Sequence, residues 1–277
     1  MESVIRTVYG THLQTCLKLN LPYTVYPHTT LNEKLNIFPE LTLANGELPH
    51  ARYMVIGNGG HRFSLGNGTV PVVDPILHNP TDAGLYHQIP FVARTLDNDL
   101  TAAQRTRYRL RRIETYNNVN YAVYYAKVLS LDGVNVQLEL KEVDNGSITA
   151  QPFVPTLSNL NPTPPVVTPN QVITATGNYV GATAIVDFSM DEWEMSELLN
   201  VANLLYGDDR YAIVSEIGLC SGVDRNVTGQ FNGVTTGYTD AAVVQITNFI
   251  NVFHSAKFTN TGFNLTMDVG SLEQLYA

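Results

Sequence analysis

The stretch "YRLRRIETYNNVNYAVYYAKVLSLDGVNVQLELKEV", residues 108–143, carries the strongest regular pattern in the chain. It is rich in β-branched and aromatic residues and is punctuated by turn signals at Asn117-Asn118, Asp132-Gly133 and Asp144-Asn145-Gly146. Three strands are predicted, over 108–115, 121–131 and 134–143. In the third, Val134, Val136, Leu138 and Leu140 point one way while Asn135, Gln137, Glu139 and Lys141 point the other. That alternation suits an antiparallel meander with one wet face.

Outward from this stretch, strand signals outnumber helical ones. "ARYMVIG" (51–57) reads as a strand running into the glycine-rich "GNGG", and "HRFSLGNGTVPVVDPILHNP" (61–80) as a turn-rich excursion. "YAIVSEIGLCSG" (211–222) is an apolar strand with a carboxylate, Glu216, in its middle. "DAAVVQITNFI" (240–250) satisfies both strand and helix patterns. Two helices are predicted: one around "GTHLQTCLKLN" (10–20), with Leu13, Cys16 and Leu17 on one face, and one opened by a Ser189/Glu192 capping box and stopped at Gly207. The fold class is therefore α+β, β-dominated, with antiparallel sheets or β-sandwich-like subdomains and a few short helices.

Six of the fourteen prolines fall within 152–169, a density that neither helix nor sheet interior tolerates. Hence three parts are expected: a β-rich part over 1–150, a proline-rich linker or arm over 151–172, and an α+β part over 173–277. At 277 residues the chain is long enough for that.

A charged fraction of 15%, net charge −9 and pI near 5.2 argue against a general nucleic-acid binder. No segment reaches about 18 uninterrupted apolar residues, so no membrane partner is expected. The N-terminus lacks a basic start followed by an apolar run, which implies synthesis in a cytoplasm.

Chemistry-bearing patterns are few. "GNGG" follows a strand but opens no helix and lacks a Lys-Ser/Thr ending, so a tight turn with glycines at positive φ explains it better than a phosphate loop. His12 and Cys16 stand one helical turn apart, yet two ligands do not make a metal site. His61, His78 and His87, with Asp74 and Asp82, lie scattered in turn-rich sequence without ligand spacing. No catalytic, cofactor or metal residue is nominated, and no enzyme activity is expected. Arg107, Arg109 and Arg111 would share a strand face as a row of guanidinium groups suited to the carboxylates of a partner protein. These three, Tyr124 (one of fifteen tyrosines) and Glu216 are the candidate interface residues. A carboxylate placed like Glu216 needs donors, either backbone amides or an arginine.

Three stretches, in order, carry a family resemblance. "ARYMVIGNGG" is similar to a strand followed by G-[DN]-G-G in attachment domains of phage tail fibres and baseplates. "LYHQIPFVARTLDNDL…RYRLRRIE" resembles the polar segment that follows it there, and "YAIVSEIGL" the EIGL/EVGI strand near their end. The resemblance, over roughly 51–222, is to baseplate wedge proteins of contractile-tailed bacteriophages. It implies a virion structural protein of the tail, self-association (a dimer within each wedge), other baseplate or tail proteins as partners, and no active site. Two rival readings are a receptor- or carbohydrate-binding tail module and a cell-wall glycan hydrolase using Glu216 with an aspartate.

Overall fold

The computed structural model describes residues 3–66, 68, 70–144, 147–164, 174–231, 233–259 and 261–276. In chain order the early strands are β1 (Ser3–Arg6), β2 (His50–Gly57), β3 (His61–Gly66), β4 (Val70–Pro75), β5 (Gln88–Ile89), β6 (Val92–Thr95), β7 (Tyr108–Tyr116) and β8 (Val119–Val128). The later ones are β9 (Gln137–Asp144), β10 (Ser147–Pro152), β11 (Ala175–Thr183), β12 (Ile185–Met190), β13 (Ile213–Phe231), β14 (Val234–Ser255), β15 (Phe263–Asp268) and β16 (Ser271–Tyr276). The α-helices are α1 (Val8–Leu19), α2 (Leu31–Leu35), α3 (Ala102–Arg105), α4 (Leu157–Leu160) and α5 (Glu192–Tyr206). Strands dominate, and the pairings within the eight-stranded and four-stranded sheets and the β3–β4 pair are antiparallel, as the sequence pattern led us to expect.

Two compact units form: residues up to Ser130 with Ser189–Phe263, and Leu131–Phe188 with the residues from Asn264 on. They part at 130/131 and 188/189 rather than at the proline-rich stretch. The reason is strand pairing: β13 pairs along its length with β14 and along its first half with β2, which ties late residues into the early sheet. Of the 151–172 segment, 165–172 lies outside the described residues. The rest is not uniformly extended: Pro152 ends β10, and Thr156 caps the single turn of α4.

In the first unit an eight-stranded sheet runs β1-β14-β13-β2-β8-β6, with β5 also on β2 and β7 on β8. The predicted meander is therefore only two strands deep. β7 and β8 form a hairpin, but the other edge of β8 is taken by β2 and β6, so β9 leaves for the second unit. There it pairs with β10 and β11, and β16 completes a four-stranded sheet.

β13 is buried from Ile213 to Val223 without alternation, because both its faces are covered. The ambiguous stretch 240–250 is strand, part of the 22-residue β14. At Val243, where φ is 56°, Asn32 of α2 bridges the irregularity: its Nδ2 donates to Ala241 O and its Oδ1 accepts from Val244 N, each at 2.9 Å. Helix α5 begins two residues later than the capping box predicts. Ser189 is still in β12, and Asp191 caps instead, in a reciprocal box with Glu194. Gly207 ends the helix at φ 72°.

Within the stretch read as irregular, β3 and β4 pair as a regular antiparallel hairpin that joins no other strand among the described residues.

Candidate functional site

The Ser-Glu pair of β13 lies directly beside the end of β2, with Glu216 opposite Gly57. Glu216 is fully buried, and each of its oxygens has two donors. Oε1 accepts from the amides of Gly59 (3.0 Å) and His87 (2.9 Å). Oε2 accepts from the Tyr86 amide (3.0 Å) and pairs with His78 Nε2 at 2.7 Å. Burial alone would raise its pKa, but the His78 bond and the amides of His87, Tyr86 and Gly59 outweigh it and hold the carboxyl below its ordinary value. Neighbouring Ser215 accepts from the Gly60 amide at 3.0 Å.

Crowding, not φ, explains the glycines of "GNGG". None of Gly57, Gly59 and Gly60 has positive φ, which corrects the tight-turn expectation. A Cβ on Gly57 would stand 2.4 Å from Glu216 Oε1, and one on Gly60 2.5 Å from the Ser215 carbonyl. Only glycine lets backbone amides come this close to the carboxylate.

His78 is sandwiched between the rings of Tyr86 (4.0 Å) and Phe249 (3.8 Å). Its Nδ1 meets Asp82 Oδ2 at 3.1 Å, so the imidazole joins two carboxylates, and a ring carrying both protons donates to each. Asp82 in turn accepts from the Asn79 amide at 2.9 Å. Among the described residues no group of three or more His, Cys, Asp or Glu side chains could hold a metal ion. His12 packs on Tyr23, ring centres 4.8 Å apart, while Cys16 is buried.

This node holds both roots of the β3–β4 hairpin. The chain enters through Gly59 and Gly60 and returns through Ile76 to His78. Asn251 Nδ2 donates to the carbonyls of Gly60 (3.3 Å) and Ile76 (2.8 Å), binding the two roots together. Alternation divides the hairpin: His61, Phe63 and Leu65 share one face with Pro71, Val73 and Pro75, while Arg62, Ser64 and Asp74 lie on the other with Val70 and Val72. Arg62 and Asp74 pair at 3.5 Å, and Ser64 donates to Asp74 at 2.6 Å. The apolar face remains uncovered, with Phe63 65% and Leu65 64% exposed. Beneath it opens a cleft of about 790 Å³, walled by Phe63, Val73, Tyr206, Tyr211, Phe253 and Phe258. Its polar rim includes Asn58 and His87, which bond to each other and to the Tyr206 hydroxyl. Along the same seam His61 Nδ1, Asn251 Oδ1, His254 Nε2 and Ser255 Oγ are buried without a hydrogen-bond partner.

Four of the five candidate interface residues lie inside the chain rather than at its surface. Arg109, Arg111, Tyr124 and Glu216 are buried and satisfied within the chain, so none is presented at a surface of this chain. Arg109 grips Asp224 through Nε (2.8 Å) and Nη2 (3.2 Å). Arg111 pairs with Asp99 at 2.8 Å, bonds the Gln230 carbonyl and lies over the Phe231 ring; Tyr124 donates to the same Asp99 at 2.7 Å. Arg107 precedes β7 and keeps a partly exposed side chain that reaches Asp191 and Glu194. No arginine row forms, because Leu110 sits at φ 54° between the other two, its amide and that of Arg111 both held by Asp240. Arg107 and Arg109 take carboxylates from elements distant in sequence, 84 and 115 residues further along, which periodicity along one strand cannot reveal. The hairpin face was also missed; the alternation of 61–65 and the Asn67-Gly68 turn dipeptide were its available signals.

A family model described as a family of unknown function, DUF7208, matches residues 1–277. No curated protein and no solved structure matches the chain.

Proposed function

We propose, for a chain that belongs to DUF7208, that it is a structural assembly subunit of a tailed-phage virion, in the baseplate wedge, acting through protein–protein contacts. The observation that carries this reading is the uncovered apolar face of β3–β4 above an aromatic cleft, with the roots of the hairpin bonded at the Glu216 node. Contiguous exposed apolar surface of this kind marks an interaction site. The phage assignment itself draws on the resemblance. Two of the stretches that carry it, 51–60 and 211–219, are separated by some 150 residues in the chain yet join at Glu216, which supports their belonging to one motif.

Mass spectrometry and image reconstruction of purified tailed particles from cells expressing the chain test this. Fixed-copy occupancy in the tail is expected; recovery solely as free protein, absent from particles, would overturn it. One observation favours a second reading as a carbohydrate-binding tail module: Tyr211 is exposed at the cleft beside Asp208 and Arg210. Calorimetry with host surface glycans should then give heat that Tyr211→Ala abolishes.

A further inference from the structure

We propose that the β3–β4 hairpin pairs with the same hairpin of a second copy of this chain, β3 against β3 in antiparallel register centred on Phe63. This rests on the assembly reading above and names the partner at that surface.

The hydrogen-bond parity of the hairpin shows which edge is open. Ile76 donates to the Gly60 carbonyl at 2.9 Å, so the bonded pairs recur at Arg62–Asp74, Ser64–Val72 and Gly66–Val70. The intervening residues turn their backbone groups outward: Pro71, Val73 and Pro75 on β4, and His61, Phe63 and Leu65 on β3. Two of the three outward positions on β4 are proline and have no N–H, the usual device for blunting an edge. β3 has no such block. Its outward groups are free of pairing with any other strand among the described residues, except that the Leu65 carbonyl also receives the Gly68 amide at 3.3 Å.

The open edge is self-complementary. With a two-fold axis at Phe63, that residue faces its own copy, and His61 faces Leu65 in both directions. The apolar faces of the two hairpins then merge into one, and an aromatic pair sits at its centre. On the polar face Arg62 lies opposite Ser64. Because Arg62 and Asp74 cancel within each hairpin, the contact brings no net charge together, although the chain as a whole carries −9. Pairing turns two isolated two-stranded ribbons, marginal by themselves, into one four-stranded sheet. Strands of six residues make a small interface, so a readily dissociating dimer is expected.

The test uses the full chain. Sedimentation across a concentration series should show a reversible dimer for the natural sequence. Phe63→Asp should weaken it at least tenfold while leaving the circular dichroism and melting profile intact. Under oxidation Phe63→Cys should cross-link as a dimer, whereas Leu65→Cys, whose own copy lies four residues away in register, should not. A monomer at every concentration with no Phe63→Cys cross-link overturns the proposal, as does a dimer in which Leu65→Cys cross-links and Phe63→Cys does not. If the monomeric chain still enters tail particles and Phe63→Asp blocks entry, self-pairing fails while the assembly reading stands. Absence from particles together with a cross-linked dimer separates the two the other way.

Discussion

Glu216 and Asp240 are both buried carboxylates fed by backbone amides, yet their acidities move in opposite directions. Glu216 has His78 as a fourth donor and is held low; Asp240 accepts from Leu110, Arg111 and Ala241, and burial still pushes it up to about 6. The consequences for stability have opposite signs. Asp240 binds its proton more tightly folded than unfolded, where about 3.9 is ordinary. Its contribution is therefore greatest below about pH 4 and falls as pH rises through 6, by roughly 3 kcal/mol at most. Glu216 contributes above its unfolded value near 4.3, and that contribution is lost as pH falls below it. In urea melts from pH 3 to 7, Asp240→Asn should flatten the decline between pH 4 and 6; an unchanged slope would assign the titration elsewhere. Glu216→Gln replaces one acceptor atom with an amide facing donors, at a cost of about 3 kcal/mol at neutral pH. Chemical denaturation measures this directly, and a loss below 1 kcal/mol would mean that the node is not the clamp described.

At the level of elements, the end of β2 and the middle of β13 depend on each other. The glycine run was legible as a feature, but its cause was misread from sequence, because positive φ is a local property and crowding by a residue some 155 positions away is not. Two substitutions separate those causes. Gly60→Ala drives a Cβ against the backbone of Ser215 and should cost more than about 2 kcal/mol. Gly46→Ala, at φ 77° with nothing within 4 Å, should cost about 1 kcal/mol through conformation alone. Thermal melts of the pair give the ranking, and equal losses would contradict it. β9 teaches a similar lesson. Its alternation correctly identified a strand, but the partner was decided by which sheet edges remained open, a fact about β2 and β6 rather than about β9.

For the whole molecule, burial is concentrated in the first unit. β2, β13 and β14 supply long buried runs there, whereas β10 is exposed throughout and the edge strand β16 nearly so. Hydrogen exchange should therefore be slowest in 53–57, 213–223 and 241–250 and fastest in 147–152 and 271–276, by several orders of magnitude. Mass-spectrometric exchange of the full chain would show this, and strong protection of β10 in the isolated protein would contradict it.

By itself the amino-acid sequence determined the strand-rich class, the existence of β2, β7, β8, β9 and β13, the glycine stop of α5 and the need of Glu216 for donors. These are properties of period, turn chemistry and single-residue desolvation, all local in the chain. Only the tertiary structure decided which strands pair, where the two units part, that Arg109 and Arg111 of β7 face inward, and that β3 and β4 present an apolar face. Each of those depends on what distant segments bring to the same place: Asp224 and Asp240 to β7, Glu216 to the glycines, and Asn251 to the hairpin roots. Hydrogen-bond and charge satisfaction in a buried environment is settled between elements, and no pattern along one element records it.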